Sequence, residues 1–257
     1  MISFNVVIPA RHASTRLPGK PLLPIAGKPM IIRVAEQAAK SGAQQIWIAT
    51  DHHAIANVVH EHGFKACLTR DTHISGTDRI AEVVERQGWP DETIVVNVQG
   101  DEPLMPPELI RAVAQHLFEH PECAIATACH NIHDEASLRN PNIVKAVLDK
   151  NNNALYFSRA PVPYPRDAFA AGAGMPSDLP ALRHIGIYAY RAGFLRAYGQ
   201  LWTTPIEQYE SLEQLRALYH GYKIGVFIAD TAPPGGVDTE QDLHAARAAF
   251  EKLEALG

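Results

Sequence analysis

The chain has 257 residues, 46% of them hydrophobic and 20% charged, with a formal net charge of −5. That length suits one large α/β domain, or a main domain with a small appendage. The acidic balance argues against a nucleic-acid binder, which usually carries a basic face, and no run approaches the roughly 18 apolar residues needed to span a bilayer. Met1 to Asn5 carry no basic n-region and lead straight into a strand pattern, which predicts no signal peptide. Cys67, Cys123 and Cys129 are odd in number and form no CxxC pair, as expected of small core residues in a reduced cytosolic protein.

In chain order, Phe4 to Ile8 read as a first strand, and a basic loop, Pro9 to Leu22, follows it. Met30 to Ala39 have helical character, Gln45 to Ala49 form a second strand, and Ala54 to His62 a helix closed by Gly63. Lys65 to Leu68 make a third strand, Thr77 to Gln87 a helix, and Thr93 to Val98 a fourth, almost wholly apolar strand suited to a sheet covered on both faces. Pro106-Pro107 open a helix to about Glu119, and Cys123 to Cys129 form a fifth strand. Such alternation predicts βαβ units and a mainly parallel sheet flanked by helices. The second half is more mixed. Ile143 to Leu148 and Ala154 to Phe157 read as a strand pair around Asp149 to Asn153. Residues 160–180 are rich in Pro, Gly and Ala and read as a functional loop or an arm to a partner subunit. A strand over His184 to Tyr190, helices over Ala192 to Leu201 and Ile206 to Tyr219, a strand over Lys223 to Ala229 and a terminal helix over Thr239 to Leu256 complete the pattern.

The loop after the first strand holds Arg11, Arg16 and Lys20, the hydroxyls of Ser14 and Thr15, and Gly19. Three cations with backbone N–H donors, at the carboxyl end of a strand, suit a polyphosphate. The spelling is neither the P-loop nor the dinucleotide fingerprint, and a solvated basic turn is the alternative. The global negative charge does not oppose such a ligand, because screening extends only about 8 Å at physiological salt. A cation about 4 Å from a phosphate gains roughly 4 kcal/mol gross at an effective dielectric near 20.

Asp101 stands just past the fourth strand in Asn97-Val98-Gln99-Gly100-Asp101-Glu102-Pro103. It is either a turn residue or, opposite a triphosphate, a Mg²⁺ ligand. Asp238 reads first as the N-cap of the terminal helix; a shared metal site with Asp101 would change that reading. Ser75-Gly76-Thr77-Asp78-Arg79 either grips a base or ribose edge or simply caps a helix. His116 and His120 lie four apart, yet the zincin Glu is missing, and no Cys-His pair or GxSxG elbow suggests covalent catalysis.

These motifs together resemble the 3-deoxy-manno-octulosonate cytidylyltransferases, or CMP-Kdo synthetases. The resemblance rests on Ile8 to Leu22, Gly27 to Met30, Ala49-Thr50-Asp51, Ser75 to Arg79 and Asn97 to Pro103. Ala154 to Ala160, His184 to Arg191, Leu212 to Arg216 and Gly236 to Thr239 extend it, in order, across about residues 3–247. His12 stands where Tyr is common and Asp78 where Glu is common, and neither departure removes a charge. Residues 167–180 match nothing in the family pattern.

The resemblance implies a Rossmann-like nucleotidyltransferase fold with a smaller mixed sub-domain. It further implies a single domain over 1–257, with a CTP-binding half (1–130) and a sugar-binding and dimerising half (131–257). The implied reaction joins CTP and Kdo to give CMP-Kdo and pyrophosphate, for lipopolysaccharide synthesis in the cytoplasm. CTP would be held by Pro9, Ala10, Arg11, Ser14, Arg16, Lys20, Ser75, Gly76 and Gln99. Kdo would lie against Arg79, Gln99, Arg159, His184, Tyr188, Glu213 and Gln214. Mg²⁺ would sit on Asp101 and Asp238, which with Lys20 form the catalytic set. A homodimer is implied as well, with no nucleic-acid or membrane partner.

Overall fold

A computed structural model describes residues 2–12, 17–73 and 75–256. Strand β1 (Phe4–Ala10) buries Phe4, Val6, Ile8 and Ala10 on one face and Val7 on the other, as period-two alternation requires. A 3₁₀ turn (Lys20–Leu22) and the tiny hairpin β2 (Pro24–Ile25) and β3 (Lys28–Pro29) lead into α1 (Met30–Lys40). Gly19 precedes the turn at φ 66°, a backbone state that glycine adopts without Cβ strain. Then come β4 (Gln45–Thr50), α2 (His53–Glu61), β5 (Lys65–Leu68), α3 (Gly76–Gln87), β6 (Ile94–Asn97), α4 (Pro107–Glu119) and β7 (Ile125–Asn131). The second half adds α5 (Glu135–Arg139), β8 (Lys145–Leu148), β9 (Ala154–Ser158), α6 (Arg166–Ala170), β10 (Leu182–Arg191), α7 (Ala192–Tyr198), α8 (Pro205–Glu210), α9 (Gln214–Tyr219), β11 (Ile224–Ile228) and α10 (Glu240–Leu256).

Among the described residues the main sheet has nine strands, in the order β11-β7-β10-β6-β1-β4-β5, with the β8–β9 hairpin branching from β10. Strands β6, β1, β4 and β5 run parallel, as the alternation predicts. The departure lies in β10, which inserts antiparallel between β6 and β7, so that the fourth and fifth strands of the sequence are not neighbours. Helices α1, α2 and α4 pack apolar residues on one face and α3, α7 and α9 on the other, closing a three-layer α/β/α sandwich.

Three other local expectations change. The helix expected over Ile206 to Tyr219 is broken, because Ser211 takes φ 51° and separates α8 from α9. A Thr204–Glu207 capping box starts α8. The segment 160–180 is not a bare loop: α6 forms inside it, and Phe169, Met175 and Leu179 pack on Ile132, Leu138 and Ala181. Finally, α10 returns to the N-terminal part, with Val237, Leu243, Ala246 and Phe250 buried against Leu17, Ile25 and Met30.

Candidate active site

Because β1, β4 and β6 are parallel, their carboxyl ends share one rim, where ligands of open α/β sheets bind. One glycine allows the segments there to touch, and a second lies in contact beside it. A Cβ on Gly100 would lie 2.7 Å from the Pro9 carbonyl oxygen, so only glycine lets the turn after β6 press against β1. A Cβ on Gly76 would lie 3.6 Å from the Pro9 ring, so the start of α3 also closes on the end of β1. Pro9, Ala10, Ser75, Gly76, Gly100 and Asp101 thus form one continuous surface. Ser75 caps α3, accepting from Asp78 N at 3.1 Å and donating to the Asp78 carboxylate at 2.9 Å. Arg11 leaves the end of β1 beside the stacked rings of His12 and His52, whose centroids are 3.8 Å apart. Ser14 and Arg16 lie outside the described residues.

Asp101 and Asp238, remote in sequence, converge on one cation. Lys20 Nζ donates to Asp101 Oδ2 at 2.6 Å, to Asp238 Oδ1 at 3.1 Å and to the Val237 carbonyl at 3.0 Å. Val237 N in turn donates to the Asp101 carbonyl at 2.8 Å, docking the late loop on the turn after β6. Burial pulls the Lys20 ammonium down, but the hydrogen bonds and charges of the two carboxylates outweigh it and hold it above its ordinary value. The expected capping role of Asp238 is filled by its neighbour. Thr239 Oγ1 accepts from Asp242 N at 3.2 Å, and Asp242 Oδ2 accepts from Thr239 N at 2.8 Å, a capping-box arrangement that leaves the Asp238 carboxylate turned toward Lys20. Beside Asp101, burial and then the Asp101 charge push the Glu102 carboxyl up to about 8.

Deeper under the rim, a cavity is lined by Gln99, Tyr188, Glu213 and Gln214 of the predicted sugar set. Tyr188 on β10 faces Asn97 on β6 in register. Glu213 accepts from the Tyr198 hydroxyl at 2.8 Å. His184 stands next to Tyr188, with ring centroids 5.3 Å apart, and its Nε2 is 2.9 Å from Thr127 Oγ1. Thr127 also donates to the carbonyl of Ile187 at 2.6 Å, across the irregularity in β10 between Ile185 and Tyr188.

Two predicted sugar residues are spent elsewhere. Arg79 is fully buried and absent from the cavity wall; it pairs with Asp51 Oδ2 at 2.8 Å and bonds Thr69 Oγ1. Arg159 also stays off the cavity wall and donates to the main-chain carbonyls of Glu210 at 2.6 Å and Pro141 at 2.9 Å. The Glu210 carboxylate accepts from Ser158 Oγ and Arg159 N, so this arginine ties β9 to the α8–α9 turn that presents Glu213.

The predicted site set leaves out Asn97, Tyr190 and Tyr198, which line the cavity together with Thr77 of the Ser75–Arg79 motif. The available signal was one polar residue closing the apolar run of β6. The set also leaves out Glu82. Burial would push that carboxyl up, but His73, the Arg70 N–H and Arg86 grip it and bring it down to about 2, anchoring the segment that leads to Ser75.

Burial also pulls His184 down to about 3 from its ordinary 6.5. A group depressed on folding stabilises the protein above its unfolded value and loses that contribution as pH falls toward the folded one. Between pH 6.5 and 5 the Tm should therefore fall, with His184 contributing about 2–3 °C per pH unit. Melting curves of His184→Asn should lack that share of the slope; an equal slope in both proteins would refute this role.

A profile of the cytidylyltransferase family matches residues 5–224. Among solved structures, CMP:2-keto-3-deoxy-manno-octonic acid synthetase complexed with CTP is 42% identical, with a TM-score of 0.89 over 98% of this chain and 99% of that one. A cytidylyltransferase from Leptospira borgpetersenii serovar Hardjo-bovis (strain JB197) is 14% identical, with a TM-score of 0.63 over 98% of this chain and 88% of that one. The 4-diphosphocytidyl-2C-methyl-D-erythritol synthase of Anaerococcus prevotii DSM 20548 is 10% identical, with a TM-score of 0.61 over 97% and 99%. The last two share the fold. With a rim that gathers Lys20 and the carboxylates of Asp101 and Asp238, and a family match over most of its length, the chain belongs to the cytidylyltransferase family.

Proposed function

We propose that the protein transfers CMP from CTP to the C2 hydroxyl of Kdo, releasing pyrophosphate. The observation that carries the reading is the Lys20 ammonium held between Asp101 and Asp238 at the rim next to Pro9, Ala10 and Gly76. The 42% identity to the CMP:2-keto-3-deoxy-manno-octonic acid synthetase supports the choice of sugar.

On this reading Arg11, Ser14, Arg16 and Lys20 hold the triphosphate, and the surface of Pro9, Ala10, Ser75 and Gly76 takes the cytosine. Gln99, Tyr188, Glu213 and Gln214 orient the sugar, with His184 and Arg159 behind them. The residues' part is positioning and charge neutralisation, because two anions must meet with the attacking oxygen in line with the departing pyrophosphate. A protein nucleophile is not required.

Asp101 and Asp238 fit Mg²⁺: they are hard oxygen donors from two loops, and the Lys20 ammonium stands between them where a cation is wanted. Among the described residues no three His, Cys, Asp or Glu gather at one place, so such an ion would complete its shell with substrate oxygens and water. When bound, it would offset charge on the phosphates and acidify a coordinated hydroxyl. Lys20 would then turn from the carboxylates to the phosphates.

We further place the activity in the cytoplasm, serving lipopolysaccharide synthesis, with the protein as a homodimer. Exposed Leu155, Tyr164, Trp202 and Tyr209 in the second half support a covering subunit. Among the described residues no helix is long and apolar enough to cross a membrane.

The test is pyrophosphate release by purified protein with each nucleoside triphosphate in turn, and with Kdo, sialic acid or an amino-Kdo as acceptor. CTP with Kdo should give the highest rate. A faster rate with another acid sugar would overturn the substrate assignment while leaving the family intact.

A further inference from the structure

Buried polar side-chain atoms in folded proteins nearly always have partners, so each exception calls for an explanation. Two of the exceptions here line one cavity. Asn97 Oδ1 and Gln214 Nε2 have no hydrogen-bond partner, although Asn97 is only 3% exposed and Gln214 8%. One is an acceptor and the other a donor. Thr77 and Tyr190 line the same cavity beside Asn97, and Asn97 lies opposite Tyr188 in the β6–β10 pairing. Tyr188, Tyr190 and Phe194 supply aromatic walls.

We infer that Asn97, with Gln214, reads a neutral hydroxyl of the acceptor sugar, and that Asn97 is a specificity residue of the reaction. This rests on the proposed cytidylyl transfer. The chemistry selects the ligand group. A carboxylate or phosphate has no proton to give Asn97 Oδ1, and an ammonium has no lone pair to accept from Gln214 Nε2. A hydroxyl does both. The polyol end of an acid sugar therefore faces Asn97 and Gln214, and its carboxylate lies away from them. A site built around a hydroxyl rejects the analogue lacking it, because the buried protein groups are then stranded.

The experiment compares wild type, Asn97→Leu and Gln214→Met on Kdo and on analogues that each lack one side-chain hydroxyl. CTP is saturating, and the KM for CTP and the Tm are measured alongside. For wild type, loss of one particular hydroxyl should lower kcat/KM by about 10- to 100-fold. In either variant the same omission should cost less than about threefold, with the KM for CTP little changed, a pattern that a merely structural defect does not produce. If Asn97→Leu fails to fold, Gln214→Met carries the comparison. Wild type that tolerates every omission, or variants that discriminate as wild type does, would overturn the inference. Wild type inactive on Kdo itself would instead overturn the proposed function, and this inference with it.

Discussion

Replacing Asp101 by Ala should lower turnover on the order of 10³-fold, because it removes the carboxylate at the point where charge must be balanced between two anionic substrates. The fold should survive. Asp101 is half-exposed, and its partner Lys20 keeps Asp238 and the Val237 carbonyl as acceptors. Steady-state pyrophosphate release and a melting curve separate the two effects: Tm should move little, and CTP should still bind weakly without metal. Turnover near the wild-type rate in Mg²⁺ would remove Asp101 from the metal site. Asp238→Asn extends the comparison, since Thr239 and Asp242 already cap α10. Activity should fall strongly with little loss of stability.

The second large effect is on stability. Arg79 is fully buried, and its guanidinium joins three elements: Asp51 after β4, Thr69 after β5, and its own helix α3. Thr69 also bonds the Thr50 carbonyl through its N–H at 2.8 Å and its hydroxyl at 3.2 Å. Removing one partner of a buried ion pair costs about 3–5 kcal/mol, which for a chain this size lowers Tm by about 10 °C. Arg79→Met should therefore melt early, with a raised KM for CTP because α3 carries Ser75 and Gly76. A variant with unchanged Tm and a raised KM for Kdo alone would instead place Arg79 against the sugar.

The residues explain how much of this was legible in the sequence. Strands β1, β4, β5 and β6 and helices α1 to α4 follow from local periodicity and caps, and their parallel arrangement follows from the alternation. The position of β10 does not, because insertion between β6 and β7 is decided by pairing between distant segments. The break at Ser211 was hidden because the apolar pattern continues across α8 and α9, while the left-handed backbone at that serine is a tertiary outcome. Asp238 and Thr239 are both good N-caps, one position apart, and only the fold decides between them. Lys20 and Asp101 stand out in the loops after the first and fourth strands, whereas Asp238 reads locally as a helix cap and joins them only through the family resemblance. Arg79 and Arg159 enter the sugar set through the family resemblance, and their bonds within the fold, Arg79 to Asp51 and Arg159 to main-chain carbonyls, could not be read from the sequence. Asn97 illustrates the reverse: it closes the apolar run of β6 in the sequence, but its place in the cavity wall follows from the fold.

The central claim is that the protein joins the α-phosphorus of CTP to the C2 oxygen of Kdo. Kdo carrying ¹⁸O at the C2 hydroxyl, incubated with CTP, Mg²⁺ and the enzyme, tests it directly by mass spectrometry and ³¹P NMR. The account predicts one pyrophosphate per CMP-sugar formed, with the label retained in the bridge between phosphorus and C2. A product joined through another hydroxyl, a bridge without the label, or pyrophosphate released without sugar ester would contradict it.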